Sequence, residues 1–116
     1  MDYERNHFSS GALEFECPLV RGVRHGLARR WYENGALFSE GDYVHGKLSG
    51  QLREWSPDGV LTLCAHFRNA EHDGSYESWW DSGVPKERGH FIHGKRAPGY
   101  TWFSEDGGVW SRIESI

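Results

Sequence analysis

Glycine recurs every 24 residues along this chain, five times and with no insertion or deletion between copies. The series consists of Gly11, Gly35, Gly59, Gly83 and Gly107. A second series stands four residues before the last four glycines: Trp31, Trp55, Trp79 and Phe103. A fixed period of this kind is typical of a chain that copies one small unit along an axis. Because each unit buries its apolar face only against its neighbours, we expect residues 1–116 to form a single repeat domain.

Each period contains a short turn signal that ends in the repeated glycine, such as Glu33-Asn34-Gly35. Three residues of this kind fit a type I turn whose third residue is left-handed and forms a G1 bulge, a conformation that glycine enters cheaply. The sequence therefore predicts an all-β fold: an elongated, twisted antiparallel sheet of about five stacked β-hairpins. At about 4.8 Å per strand it should be a rod on the order of 45 Å long. The predicted facing pairs are Trp31 with Leu37, Trp55 with Leu61, Trp79 with Pro85, and Phe103 with Val109.

The predicted pairs place the repeated tryptophans on the core face of the sheet. The column Ala28, Leu52, Tyr76 and Tyr100 precedes them by three residues. We expect a β-bulge in that interval to bring both columns to the same face. A longer connection, which contains Gly46 and Gly50, should link successive hairpins. Ala70 and Pro98 replace glycines of this connection, so its third and fourth copies are expected to differ in shape.

Five large aromatic residues fall on the face that this scheme assigns to solvent. They are Tyr32, Phe38, Trp80, Trp102 and Trp110, with Trp102 expected directly across from Trp110. The repeat does not need large rings at these positions, and exposed Trp and Tyr are enriched at interface hot spots. We expect them to bind a partner protein, unless the sheet curls or forms a homodimer through this face. Four carboxylates are expected to meet Lys or Arg of the partner: Asp42, Glu54, Glu77 and Asp81.

Charge and composition exclude several classes of function. The net charge is −4, and no run of like charges exceeds two residues, so we expect no nucleic-acid partner. No apolar run approaches the roughly 20 residues of a membrane span, and we expect no membrane insertion. The N-terminus lacks the apolar region of a secretory signal, which favours the cytoplasm. Cys17 and Cys64 should fall on opposite faces and remain free thiols.

No catalytic or cofactor motif is present, and we expect neither an enzyme, nor a cofactor, nor a metal site. His66 and His90 share a column, but one repeat separates them by about 10 Å, which is too far for a shared zinc ion. Cys64 and His66 share a face without an orienting third group. The glycine pairs of the longer connections lie in a polar context and form no phosphate-binding loop.

The repeated columns resemble the MORN repeat, and in particular its bacterial variant. The segment from Gly46 through Trp55 and Gly59 to Leu61 shows the pattern, which closes with Phe67, and the resemblance covers about residues 11–110. It implies a protein-binding module similar to cytoplasmic antitoxin or immunity proteins, which block a cognate toxin by covering its active site. The alternative is a structural or adaptor scaffold that recruits protein or membrane components. A second resemblance, to choline-binding hairpins, belongs to exported proteins.

Overall fold

The computed structural model describes residues 2–115, and every regular element in that range is a β-strand. The strands form one open antiparallel sheet, whose edges are the first and the last strand. Its extents are 47 × 31 × 16 Å, which confirms the predicted elongated sheet of stacked hairpins. The strands are β1 (Asp2–His7), β2 (Leu13–Val20), β3 (Val23–Arg24), β4 (Gly26–Trp31), β5 (Leu37–Val44), β6 (Lys47–Trp55), β7 (Leu61–Arg68), β8 (Glu71–Trp79), β9 (Pro85–Ile92), β10 (Lys95–Arg96), β11 (Thr101–Phe103) and β12 (Val109–Arg112).

The hairpin turns have the predicted geometry. Gly35 has φ 90°, its N–H donates to the Tyr32 carbonyl at 2.9 Å, and the Tyr32 N–H donates to the Ala36 carbonyl at 2.8 Å. The other four glycines of the series have φ between 90° and 93°. This geometry sets the register, and all four predicted facing pairs are observed.

The connection between hairpins is shorter than expected. Its centre is a tight turn of two residues, such as His45-Gly46 with φ 50° and 85°, and this pair of positive angles is typical of a type I′ turn. Gly50, with φ 121°, lies inside β6, where the register against β5 shifts, so an irregularity within the strand replaces the predicted long loop. Ala70 has φ 68° and keeps the same turn as the glycines in its column, contrary to expectation.

The fourth connection between hairpins differs from the first three, as expected from the presence of Pro98. After β10 the chain turns through Pro98 and Gly99, which has φ 92°, and the Tyr100 N–H donates to the Ala97 carbonyl at 3.2 Å. The three earlier copies carry a glycine with φ between 110° and 123° at the position of Pro98. Proline cannot adopt such an angle, so the chain enters β11 by a different turn.

The assignment of columns to faces was wrong. Arg30 pairs with Ser39 and Trp31 pairs with Leu37, so the extra residue of the bulge is Phe38, on the return strand. The outgoing strand therefore alternates strictly, and Trp31, three residues after Ala28, points to the opposite face. The tryptophans Trp31, Trp55 and Trp79 are only half-buried.

We name the two faces by what they carry. The groove face holds the paired row that runs from Ala28 through Gly41, Leu52 and Ala65 to Tyr76. The ladder face is the opposite one. On each outgoing strand it holds the residue that follows the member of this row, and it also holds the repeated tryptophans. The buried apolar residues are all on the groove face: Phe15, Cys17, Ala28, Ala65, Phe91 and Tyr100. Cys17 and Cys64 lie on opposite faces as free thiols, as predicted.

Candidate protein-binding groove

A groove of about 720 Å³ lies on the groove face, from the turn after β4 across β6 to β8, β9 and the turn after β11. Its position follows from one column of the repeat, in which Tyr32, Ser56 and Trp80 stand 24 residues apart and each directly follows an outgoing strand. The two rings form opposite walls, and the small serine between them leaves the space open. Tyr76, Ser78 and Glu54 line the groove further along β8 and β6. The surface is therefore concave because this column of the repeat holds a large residue, a small one and a large one in successive copies.

Neighbouring side chains hold both walls. The Tyr32 hydroxyl donates to the Trp55 carbonyl at 2.7 Å, and the Tyr32 ring lies 5.0 Å from the Phe38 ring. The Lys86 ammonium lies 4.7 Å from the centre of the Trp80 ring, a cation–π contact. Both aromatic walls are therefore positioned without a ligand.

The lining of the groove is acidic. Four carboxylates line it, those of Glu54, Asp81, Glu87 and Glu105, of which Glu87 lies 3.8 Å from Arg96, and they face one ammonium group, that of Lys86. Burial raises the pKa of the Glu54 carboxyl. Burial also raises the pKa of the Tyr76 hydroxyl, and the carboxylates of Glu87 and Glu54 add to that rise. Such a groove favours a cationic ligand.

One polar atom at the groove, the buried Nε1 of Trp80, has no acceptor among residues 2–115. Ser78 is 6% exposed, and its hydroxyl interacts with that of Tyr76, an interaction that lowers the pKa of the tyrosine against the larger effect of burial. Unpaired buried polar atoms are rare in native proteins, and each costs about 1–3 kcal/mol. The unpaired indole N–H is therefore a reason to regard the groove as a binding site.

Four of the nine sequence-predicted site residues meet at this groove. They are Tyr32, Glu54, Trp80 and Asp81. Phe38 lines two smaller hollows beside it. Tyr32, Phe38 and Trp80 therefore share a surface, but it is the face with the buried residues and not the opposite one.

The remaining predicted residues lie elsewhere. Trp102 packs on Tyr100 at 4.9 Å between ring centres, and Trp110, 68% exposed on the edge strand β12, lies 6.4 Å from Trp102. Trp102 pairs with Ser111, and Trp110 is the extra residue of the bulge, so the two are neighbours but not directly opposite. Asp42 and Glu77 are on the ladder face.

The ladder face already pairs its own charges. Glu40 bridges Arg29 at 2.8 Å and Arg53 at 3.0 Å. Arg88 lies 3.3 Å from Glu77, which is therefore less available to a partner than the sequence suggested. This ladder of cross-strand ion pairs stabilises the sheet and leaves few unpaired groups for recognition.

Sequence reasoning missed Ser78, Tyr76 and Lys86 as lining residues of the groove. Each follows from the observed register: Ser78 pairs with Leu63, Tyr76 pairs with Ala65, and Lys86 is the extra residue of its bulge. The sequence did contain a signal, because the columns of Tyr32 and Glu54 change sharply in size between successive repeats.

Two features that other proteins carry, a metal site and a membrane-spanning helix, are not found within residues 2–115. Within residues 2–115, no three His, Cys, Asp or Glu side chains come together as a metal site would require. The described part of the chain also includes no helix long and apolar enough to cross a membrane.

Comparison with known proteins identifies the type of repeat. Residues 24–45 match the family model of the MORN repeat variant, and they span β4, its hairpin turn, β5 and the first residue of the next turn. No curated protein matches the chain. The match supports MORN repeats in this protein, and such repeats form modules often involved in protein or membrane binding.

Proposed function

We propose that this protein binds another protein through the groove face, and that it does so as a cytoplasmic antitoxin or immunity protein. The observation that carries the proposal is the groove itself. Tyr32 and Trp80 are large rings at positions where the repeat also accepts serine, they line the groove together with Glu54, and the buried Nε1 of Trp80 has no acceptor among residues 2–115. The fold does not need this arrangement, whereas a hot spot is built of such rings and desolvated polar groups.

The mechanism would be steric. A sheet 47 Å long offers a broad surface that can cover the active site of a toxin, with the rings as anchors and the acidic lining directed at basic residues. The antitoxin role is what the resemblance noted in the sequence implies. A structural or adaptor scaffold would use the same face for a different partner.

Recovery of the partner from the native host tests the proposal. We expect the tagged chain to retain a second protein in stoichiometric amount, and that protein to lose its toxic activity in the complex. Trp80→Ser should weaken the complex by about tenfold or more, the scale of a hot-spot loss. Serine is the residue that the same column holds at Ser56 and Ser104, so the variant should fold.

The matched control is Trp110→Thr, which removes an exposed tryptophan outside the groove and installs the residue that its column holds at Thr62. Equal loss of the partner in both variants, or loss in neither, would contradict a groove-centred interface. A partner without toxic activity would refute the antitoxin role and favour the scaffold. Recovery of only a second copy of this chain would instead indicate a homodimer.

A further inference from the structure

We propose that the groove between Tyr32 and Trp80 binds an arginine side chain of the partner, with the Glu54 carboxylate as its counter-charge. The inference rests on the proposed protein-binding function and specifies the chemistry of the contact at its centre.

Glu54 is half-buried and carries no counter-ion. The ion pairs among residues 2–115 join Glu4, Glu16, Glu40, Asp73, Glu77 and Glu87 to arginines, and none includes Glu54. Burial raises its pKa, and no neighbouring cation or donor lowers it. A partly desolvated and unpaired carboxylate costs free energy in the isolated chain, and a cation placed beside it would offset that cost.

The unpaired polar groups select a ligand that can form hydrogen bonds. The Nε1 of Trp80 has no acceptor among residues 2–115 and can donate to a carbonyl of the segment that carries the ligand. A quaternary ammonium group has no N–H to offer to Glu54, whereas a guanidinium has five.

The same face already binds one of its own arginines in this way. Arg24 donates from Nε and Nη2 to the two carboxylate oxygens of Glu4, at 2.7 and 3.0 Å. Its guanidinium carbon lies 4.7 Å from the centre of the Phe15 ring and 5.3 Å from that of Tyr43. A carboxylate and two aromatic rings are sufficient here to hold a guanidinium.

A second arginine repeats the arrangement near the other end of the sheet. The guanidinium of Arg96 lies 5.0 Å from the ring centre of Tyr100 and 5.4 Å from that of Trp102, and its Nη2 is 3.8 Å from Glu87. Between these two places, the groove has aromatic walls and a carboxylate but no arginine of its own. Arginine stacks on rings and pairs with carboxylates in a planar geometry that lysine does not offer, which makes it the side chain that fits.

The test uses the isolated chain and small probes. In the ¹⁵N-labelled protein we expect N-acetyl-arginine amide to shift the indole N–H of Trp80 and the amides of Glu54 and Ser78 in a saturable manner. The corresponding amide of citrulline, a neutral analogue of similar shape, and choline should not do so. Glu54→Gln should weaken arginine binding by about tenfold or more. Glu77→Gln removes the same charge from the ladder face and should leave the affinity unchanged.

The inference is overturned if arginine shifts none of these resonances, if citrulline or choline shifts them equally, or if Glu54→Gln binds like the parent chain. Failure here is separable from failure of the proposed function. If a partner protein requires Trp80 but free arginine does not bind in the groove, the protein-binding function stands and the arginine contact is refuted. If arginine binds but no partner is recovered, the arginine site stands and the proposed protein-binding function is refuted.

Discussion

At the scale of the residue, the proposed recognition of a cation depends most on Glu54. Its column also holds Arg30, Ser78 and Trp102, so the repeat does not require an acid there. The carboxylate is flanked by Ser39 and Leu63 across the neighbouring strands, neither of which supplies a charge. Such a residue weakens the free chain and becomes useful only when a cation is present, a trade-off common at binding sites.

This cost makes the stability of the isolated protein dependent on pH. Because burial raises the folded-state pKa of Glu54 above the ordinary value of 4.5, the folded state holds the proton more tightly than the unfolded state. The contribution of Glu54 to stability is therefore most favourable below pH 4.5 and falls as the pH rises through the folded-state pKa. We expect Glu54→Gln to raise the free energy of unfolding at pH 7, as measured by urea denaturation.

The gain from this variant should shrink as the pH is lowered through the folded-state pKa of Glu54 and should be lost below pH 4.5, because the parent carboxyl is then protonated in both states. Glu77→Gln serves as the control and should give no gain at pH 7, since it breaks the ion pair with Arg88. A Glu54→Gln variant that is less stable than the parent at neutral pH would show that the carboxylate has a stabilising partner.

At the scale of the element, close contact between strands sets the tolerance of each repeat to substitution. Gly41 and Gly89 occupy the same row of the groove face, where β-carbons would face neighbouring side chains. A β-carbon at Gly41 would come within 2.9 Å of a methyl group of Leu48, which can rotate away. At Gly89 it would come within 2.8 Å of the Tyr100 Cα, which cannot.

We therefore expect Gly89→Ala to destabilise the fold by about 3 kcal/mol, the upper part of the range for overpacked sites. The buried Tyr100 would have to leave its position, and the Arg96 contacts would be lost with it. Gly41→Ala, the matched control, should cost about 1 kcal/mol or less. Thermal denaturation of both variants measures the difference. Equal costs would mean that β11 moves as easily as a leucine side chain.

At the scale of the whole molecule, the stacked hairpins form a sheet in which each strand of the main path forms its backbone ladder only with its neighbours. The interior strands β5 to β9 are paired on both sides, whereas β1 and β12 are paired on one. Stability in such an array is a sum of local and nearest-neighbour contributions. In the order of strands the groove is central, since β5 to β9, which are paired on both sides, supply most of the strand residues that line it.

Hydrogen exchange should reveal this gradient. We expect amides in β6, β7 and β8 to exchange most slowly and those in β1 and β12 to exchange fastest, because the ends of a repeat array open without the centre. Exchange measured residue by residue by NMR provides the test. A single common rate for the slowly exchanging amides of all strands would show that the sheet unfolds as one cooperative unit instead.

The period, the hairpin turn and the register could be predicted along the chain, since each depends on a few consecutive residues around a glycine with positive φ. Gly35 and its four equivalents require that turn, and the turn places Trp31 against Leu37. Local geometry also predicted that Pro98 would alter its connection. It did not predict that Ala70 would keep the turn of its glycine neighbours, because the packing of adjacent strands overrides the modest backbone preference of one residue.

The face that each column occupies and the set of residues that form the groove depend on how the strands pair and stack. The location of the bulge on the return strand, at Phe38, is a property of two paired strands, and moving it by one residue reverses the face of every tryptophan in the repeat. The groove combines Tyr32, Glu54 and Trp80 from three successive repeats, and their proximity depends on how the hairpins stack. A turn depends on consecutive residues and can be predicted from the sequence, whereas a binding surface combines residues that are distant along the chain.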